Sequence, residues 1–167
     1  MSSQPGPMPR QQRQMGGAGG QGGAPWADQS QYTSFNSFVY EEDLPATLTA
    51  GSVANLSFNI AGDSDFFWTK LAVFATVGDA GTTYANNQLP AVTLLVTNTS
   101  TGRQYSNNPV PLPNIAGTGQ FPFVLPCITL WGAKSTIQLA YLNFGNQAYT
   151  TLQLSFIGIK AFLAPTP

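Results

Sequence analysis

The stretch that decides the fold is Ser135-Thr136-Ile137-Gln138-Leu139-Ala140-Tyr141-Leu142-Asn143, with its counterpart Leu152-Gln153-Leu154-Ser155-Phe156. In both, apolar side chains alternate with polar or small ones. A period of two places one set of side chains on one face of a strand, and a half-buried strand follows. Between the two, Asn143-Phe144-Gly145-Asn146 carries a hairpin signal. Working outward, Leu56, Phe58 and Ile60 alternate with Ser57 and Asn59. The cluster Gly62-Asp63-Ser64-Asp65 then reads as a turn. Phe66 to Val77 is a long aromatic and β-branched run, read as a strand buried on both faces. Ala91 to Thr97 is another strand, closed by a turn at Asn98 to Arg103. Residues 107–122 carry Pro109, Pro111, Pro113, Gly117, Gly119 and Pro122 and read as an extended loop. Val124 and Leu125 begin a short strand before Pro126. No segment shows a capped 3.6-residue period. Short strands joined by loops of unequal length predict an all-β, antiparallel β-sandwich of jelly-roll type, because unequal loops are what Greek-key crossings need.

Composition bounds the function. Only 8% of the 167 residues are charged, with six Lys+Arg, seven Asp+Glu and no histidine. A chain so poor in cations has no electrostatic footprint for a nucleic-acid duplex, and direct nucleic-acid binding is not expected. Without histidine a Ser–His–Asp triad cannot be built. With one cysteine, Cys127, neither an intrachain disulfide nor an ordinary zinc or copper site is available. Cys127 is read as a small buried residue. Asp63 and Asp65 could lend oxygens to calcium, but turn hydrogen bonds are the better reading. The expectation is a protein that is not an enzyme and needs no cofactor or metal.

Glycine and proline divide the chain. Residues 1–25 hold seven of the 17 glycines and four of the 13 prolines, with Arg10 and Arg13 as the only charges. That stretch has no apolar run and reads as neither a signal peptide nor a membrane anchor, and no membrane partner is expected. It cannot bury enough surface to offset its ordering entropy, so it should be disordered in an isolated monomer and held by neighbours in an assembly. Five aromatics follow, Trp26, Tyr32, Phe35, Phe38 and Tyr40, at spacings that fit neither period. They read either as anchors in a neighbour's pockets, together with Arg10 and Arg13, or as rings packed on the parent domain. Glu41, Glu42 and Asp43 close this region as a solvated boundary. The organisation expected is an arm over 1–44, a sandwich over 45–164 and a tail over 165–167.

The run Asp65-Phe66-Phe67-Trp68, then Phe121-Pro122-Phe123-Val124-Leu125-Pro126, then Asn143 through Ala148-Tyr149 to Leu152–Phe162, resembles the small jelly-roll virion proteins of tailed bacteriophages, of the head decoration or cement type. The resemblance spans roughly residues 45–163. It implies a structural role on the virion, assembled in the host cytoplasm, with the major capsid protein or other virion subunits as partners. It also implies a closed homo-oligomer, a trimer ahead of a dimer. A tail, neck or fibre-base component is the alternative within that class. A carbohydrate-binding module is the alternative outside it, with Trp68, Trp131, Tyr84 or Tyr105 stacking on a glycan. Ring exposure discriminates the two classes.

Overall fold

The structure, a computed structural model, describes residues 31–44, 46–77 and 90–164. Nine strands and one helical turn follow in order. They are β1 (Tyr32–Asp43), β2 (Val53–Asn59), β3 (Ser64–Val77), β4 (Val92–Asn98), β5 (Arg103–Gln104), β6 (Val110–Pro111), α1 (Leu112–Ile115), β7 (Phe123–Trp131), β8 (Thr136–Asn143) and β9 (Tyr149–Leu163). All strand pairs are antiparallel. One sheet runs β1-β9-β3-β7 and the other β2-β8-β4-β5, with β6 beside β4. Successive strands mostly change sheet, and the last two long strands insert between earlier ones. This strand order is the double Greek key of a jelly roll.

The core lies between the sheets and is aromatic. Trp131 is fully buried. Its ring centroid lies 5.0 Å from Trp68, 5.4 Å from Phe156, 5.7 Å from Phe66 and 5.8 Å from Phe58. Its indole N–H donates to the Tyr105 hydroxyl at 2.6 Å, so the polar end of this large ring is satisfied inside. Leu94, Ile137, Leu139, Leu152 and Leu154 complete the layer as the inward halves of their alternating patterns.

Four sequence readings change. First, residues 32–43 are not arm. β1 pairs along its length with β9, from Tyr32 opposite Leu163 to Asp43 opposite Gln153, so the sheet starts at Tyr32 rather than at Pro45. Second, Asn143–Asn146 does not make a hairpin. β8 and β9 lie in different sheets, and the segment between them is a crossover. Asn143 fastens it: its buried amide donates to the carbonyls of Leu48 (3.0 Å), Thr49 (3.1 Å) and Gln147 (2.7 Å) and accepts the Gly145 N–H (3.0 Å). The Gly145-Asn146 pair marks a turn without saying which sheet the chain enters next. Third, Phe123–Trp131 is a full strand running through Pro126, a tolerated place for proline because β7 is a sheet edge. Fourth, α1 adds one helical turn within the loop read as extended.

Candidate interaction surface

Register fixes which side chains of the β1-β9-β3-β7 sheet point away from the core. One row crosses it as Ser37, Ile159, Phe67 and Leu130. The next is Val39, Ile157, Lys70 and Val124, and beyond the first row lies Phe35, Ala161 and Asp65. On this outer face Val124 is 62% exposed, Val39 and Leu130 48%, Phe35 45% and Ile159 38%. Lys70 is the cation among them. The carboxylates Glu41 and Asp43 sit at the far end of β1, in the rows of Ser155 and Gln153. Glu42 turns the other way, and burial, with Asp43 beside it, raises its carboxyl above the usual range.

A strand irregularity shapes the face. The pairing of β3 slips between Trp68 and Lys70 against both neighbours. Thr69 at the slip donates its hydroxyl to the Ile157 carbonyl at 3.0 Å. Gly158 lies across from it, where a Cβ would stand 2.1 Å from the Phe67 carbonyl oxygen. The backbones therefore approach where only glycine fits. The result is a depression of about 430 Å³ lined by Ser37, Val39, Thr69, Lys70, Ile157 and Ile159, among others.

One end of the face has a small core of its own. Tyr32, Phe67 and Ala161 are buried together, with Ile128 packed against them. The Tyr32 ring stands edge-on to Phe67 (5.9 Å) and Phe35 (5.6 Å). Its hydroxyl donates to Asp65 Oδ2 at 2.7 Å, and Asp65 Oδ1 accepts the Ala133 N–H at 2.7 Å. Burial first, and the bond to Asp65 second, push the Tyr32 phenol up to about 12. Asp65 thus spends both oxygens on the fold, and Asp63 accepts the Ser64 hydroxyl at 3.0 Å. No group of three metal-ligating side chains occurs among the described residues.

The opposite sheet differs. Its outward rows are Val53-Leu142-Thr93, Asn55-Ala140-Leu95 and Ser57-Gln138-Thr97-Gln104. Amides and hydroxyls hold most of its positions, with Val53 (64% exposed) and Leu142 (38%) as its open aliphatic pair. The two faces of the sandwich are therefore unequal, and the aliphatic one is the candidate for docking.

Of the aromatics read as anchors, Tyr32 and Tyr40 pack on the sandwich. Tyr40 lies 4.9 Å from Phe66 and 5.4 Å from Phe58, and its hydroxyl accepts the Ala61 N–H at 3.2 Å. Phe35 and Phe38 stay exposed, with the Lys160 ammonium 4.5 Å from the Phe38 centroid. Arg10, Arg13 and Trp26 lie outside the described residues, as do the arm over residues 1–30 and the 165–167 tail. The glycan reading loses its two tryptophans, because Trp68 and Trp131 are core residues. Tyr105 is tied to Trp131, and Tyr84 lies outside the described residues. Cys127 is exposed rather than buried, because β7 departs from its partner between Val124 and Thr129. It sits at the rim of an apolar pocket of about 250 Å³ between the sheets. Two of the polar groups there are already engaged, Tyr105 with Trp131 and Ser106 with the Asn108 carbonyl (2.7 Å).

The outer face was not legible in the sequence. The one available signal was the unbroken apolar character of Phe156-Ile157-Gly158-Ile159, where alternation fails because both faces carry apolar groups.

No protein-family model matches the chain, and no curated protein matches it in sequence. Among solved structures, the chain is similar to the VP2 subviral particle protein of infectious bursal disease virus, at 13% identity and a TM-score of 0.33. The match covers 80% of this chain and 38% of that one.

Proposed function

We propose that the chain is a non-enzymatic structural protein of a virus particle, of the kind that decorates or cements a bacteriophage head. The observation that carries this reading is the aliphatic outer face of the β1-β9-β3-β7 sheet on a jelly roll. A monomeric domain normally covers its outer faces with charge. Here Val39, Val124, Leu130 and Ile159 stand in solvent around one lysine. Docking such a face to other virion subunits buries apolar area without desolvating many ions. The fold alone does not specify function, since jelly rolls serve capsids, lectins and enzymes alike. The surface supplies the distinction, together with the Asp65 carboxylate, whose two oxygens are already committed to the fold.

The test is attachment. Mass spectrometry of particles purified from the virus that carries this gene should find the chain in many copies. The double variant V124D/L130D should bind those particles at least about tenfold more weakly, the equivalent of 1.4 kcal/mol. Its melting temperature should be unchanged, because both side chains are exposed. Particles that lack the chain, or full attachment by the double variant, would refute the reading.

A further inference from the structure

An open sheet edge is a template for another strand, and proteins usually blunt it with charge, proline, bulges or shortness. Two of the four edges here are blunted or very short. β7 carries Pro126 and leaves its partner between Val124 and Thr129. β5 has two residues, one of them Arg103. β2 is uncharged but runs for only seven residues. The longest, β1, runs for twelve residues. Its inner edge is paired to β9, and its outer edge has no backbone partner among the described residues. From Ser34 to Tyr40 it holds no charge, proline or glycine, and residues 33–39 are all exposed.

We infer that β1 is a pairing edge for a second copy of this chain, joined antiparallel about a two-fold axis through Ser37. Three observations select the occupant and the register. The acidic triplet Glu41-Glu42-Asp43 sits at one end of β1 only. Parallel pairing would lay triplet against triplet, and like charges directly opposite are destabilising. Antiparallel pairing sets each triplet against the partner's uncharged Gln31–Thr33 end. Residues facing each other across an antiparallel pair share a face of the sheet. Centring on Ser37 therefore places Phe35 opposite the partner's Val39, and Val39 opposite the partner's Phe35. These are the two outward side chains of β1 left 45% and 48% exposed, and an aromatic against a β-branched residue is a favourable cross-strand pair. Shifting the axis to Phe38 would instead set Phe35 against Glu41. On the other side of the strand, Lys160 already lies over Phe38, so the open apolar surface of β1 is the Phe35–Val39 side.

The product is one sheet of eight strands with both outer faces on the same side, doubling the docking plate. This contact is two-fold, where the family resemblance implies a trimer. It stands independently of what the outer face binds, since the pairing is between copies in solution.

The experiment is sedimentation equilibrium of the full chain and its variants. The wild type should dimerise at concentrations below on the order of 100 µM. F35E and V39K should each be monomeric while keeping their circular dichroism and melting temperature. The double variant F35E/V39K should dimerise again, because the two new opposite charges face each other twice across the axis. In a C127S background, S37C should oxidise to a disulfide-linked dimer, and N55C on β2 should not. A monomeric wild type would overturn the proposal, including one whose amides over 34–40 are protected from exchange by the chain's own N-terminal segment. So would a double variant no better than the singles, or S37C chains that fail to cross-link.

Discussion

Replacing Asn143 by alanine should cost far more than an average polar-to-alanine change, and the structure says how much. The side chain is fully buried at the crossover between the sheets and makes four hydrogen bonds. Its partners are not equally dependent on it. The Leu48 carbonyl still accepts the Tyr149 N–H at 3.0 Å, and the Thr49 carbonyl still accepts the Ser52 N–H at 3.1 Å and its hydroxyl at 2.6 Å. The Gly145 N–H keeps a longer bond of 3.3 Å to the Ala91 carbonyl. Gln147 loses its bond outright. One orphaned carbonyl costs about 1–3 kcal/mol and each of the other bonds lost about 0.5 kcal/mol net, for a total of about 3 kcal/mol. For a domain of this size that lowers the melting temperature by about 10 °C. Asn143→Asp should be worse, because a carboxylate removes both donors and sets a buried charge against three carbonyls. Urea unfolding gives the answer as a lower midpoint at unchanged slope. A loss below about 1 kcal/mol for the alanine variant would show that the crossover is held by its backbone bonds alone, and would refute this account.

Other outcomes follow from the same geometry. Gly158→Ala places a methyl group 2.1 Å from the Phe67 carbonyl and 2.8 Å from the Phe66 ring, so β3 and β9 must part; a loss of about 3 kcal/mol is expected in the same urea assay. The Tyr32 phenol is raised from 10.0 to about 12 in the folded chain, so the folded state favours the protonated form. Its contribution is complete below pH 10 and is lost as pH rises through 12; Tyr32→Phe should flatten the fall of unfolding free energy in that window, measured by urea melts at successive pH values. Attachment to virion partners should change less than about threefold between low and moderate salt, since apolar contacts are not screened; a steep salt slope in a cosedimentation assay would contradict the aliphatic docking face.

The strands that span the core were legible in the sequence because burial on one side imposes a period of two. Ile137, Leu139 and Tyr141 point inward, and Gln138 and Leu142 outward, as their alternation says. Composition likewise excluded a histidine-based catalytic centre before any fold was known. β1 could not be read in the same way. Its residues 33–39 are exposed on both faces, so nothing selects alternation there, and only its pairing with β9 makes it a strand. The hairpin signal at Asn143–Asn146 failed for a related reason. A turn is a local property, whereas the sheet that the chain joins next depends on partners as distant in sequence as Leu48 and Ala91. The docking face and the open edge are likewise products of register. Val39, Ile157 and Val124 lie far apart along the chain, and only the ordering of β1, β9, β3 and β7 brings them into one row. Periodicity fixes which way a side chain points relative to its own strand; the tertiary structure decides which strands stand side by side, and therefore what surface those side chains make.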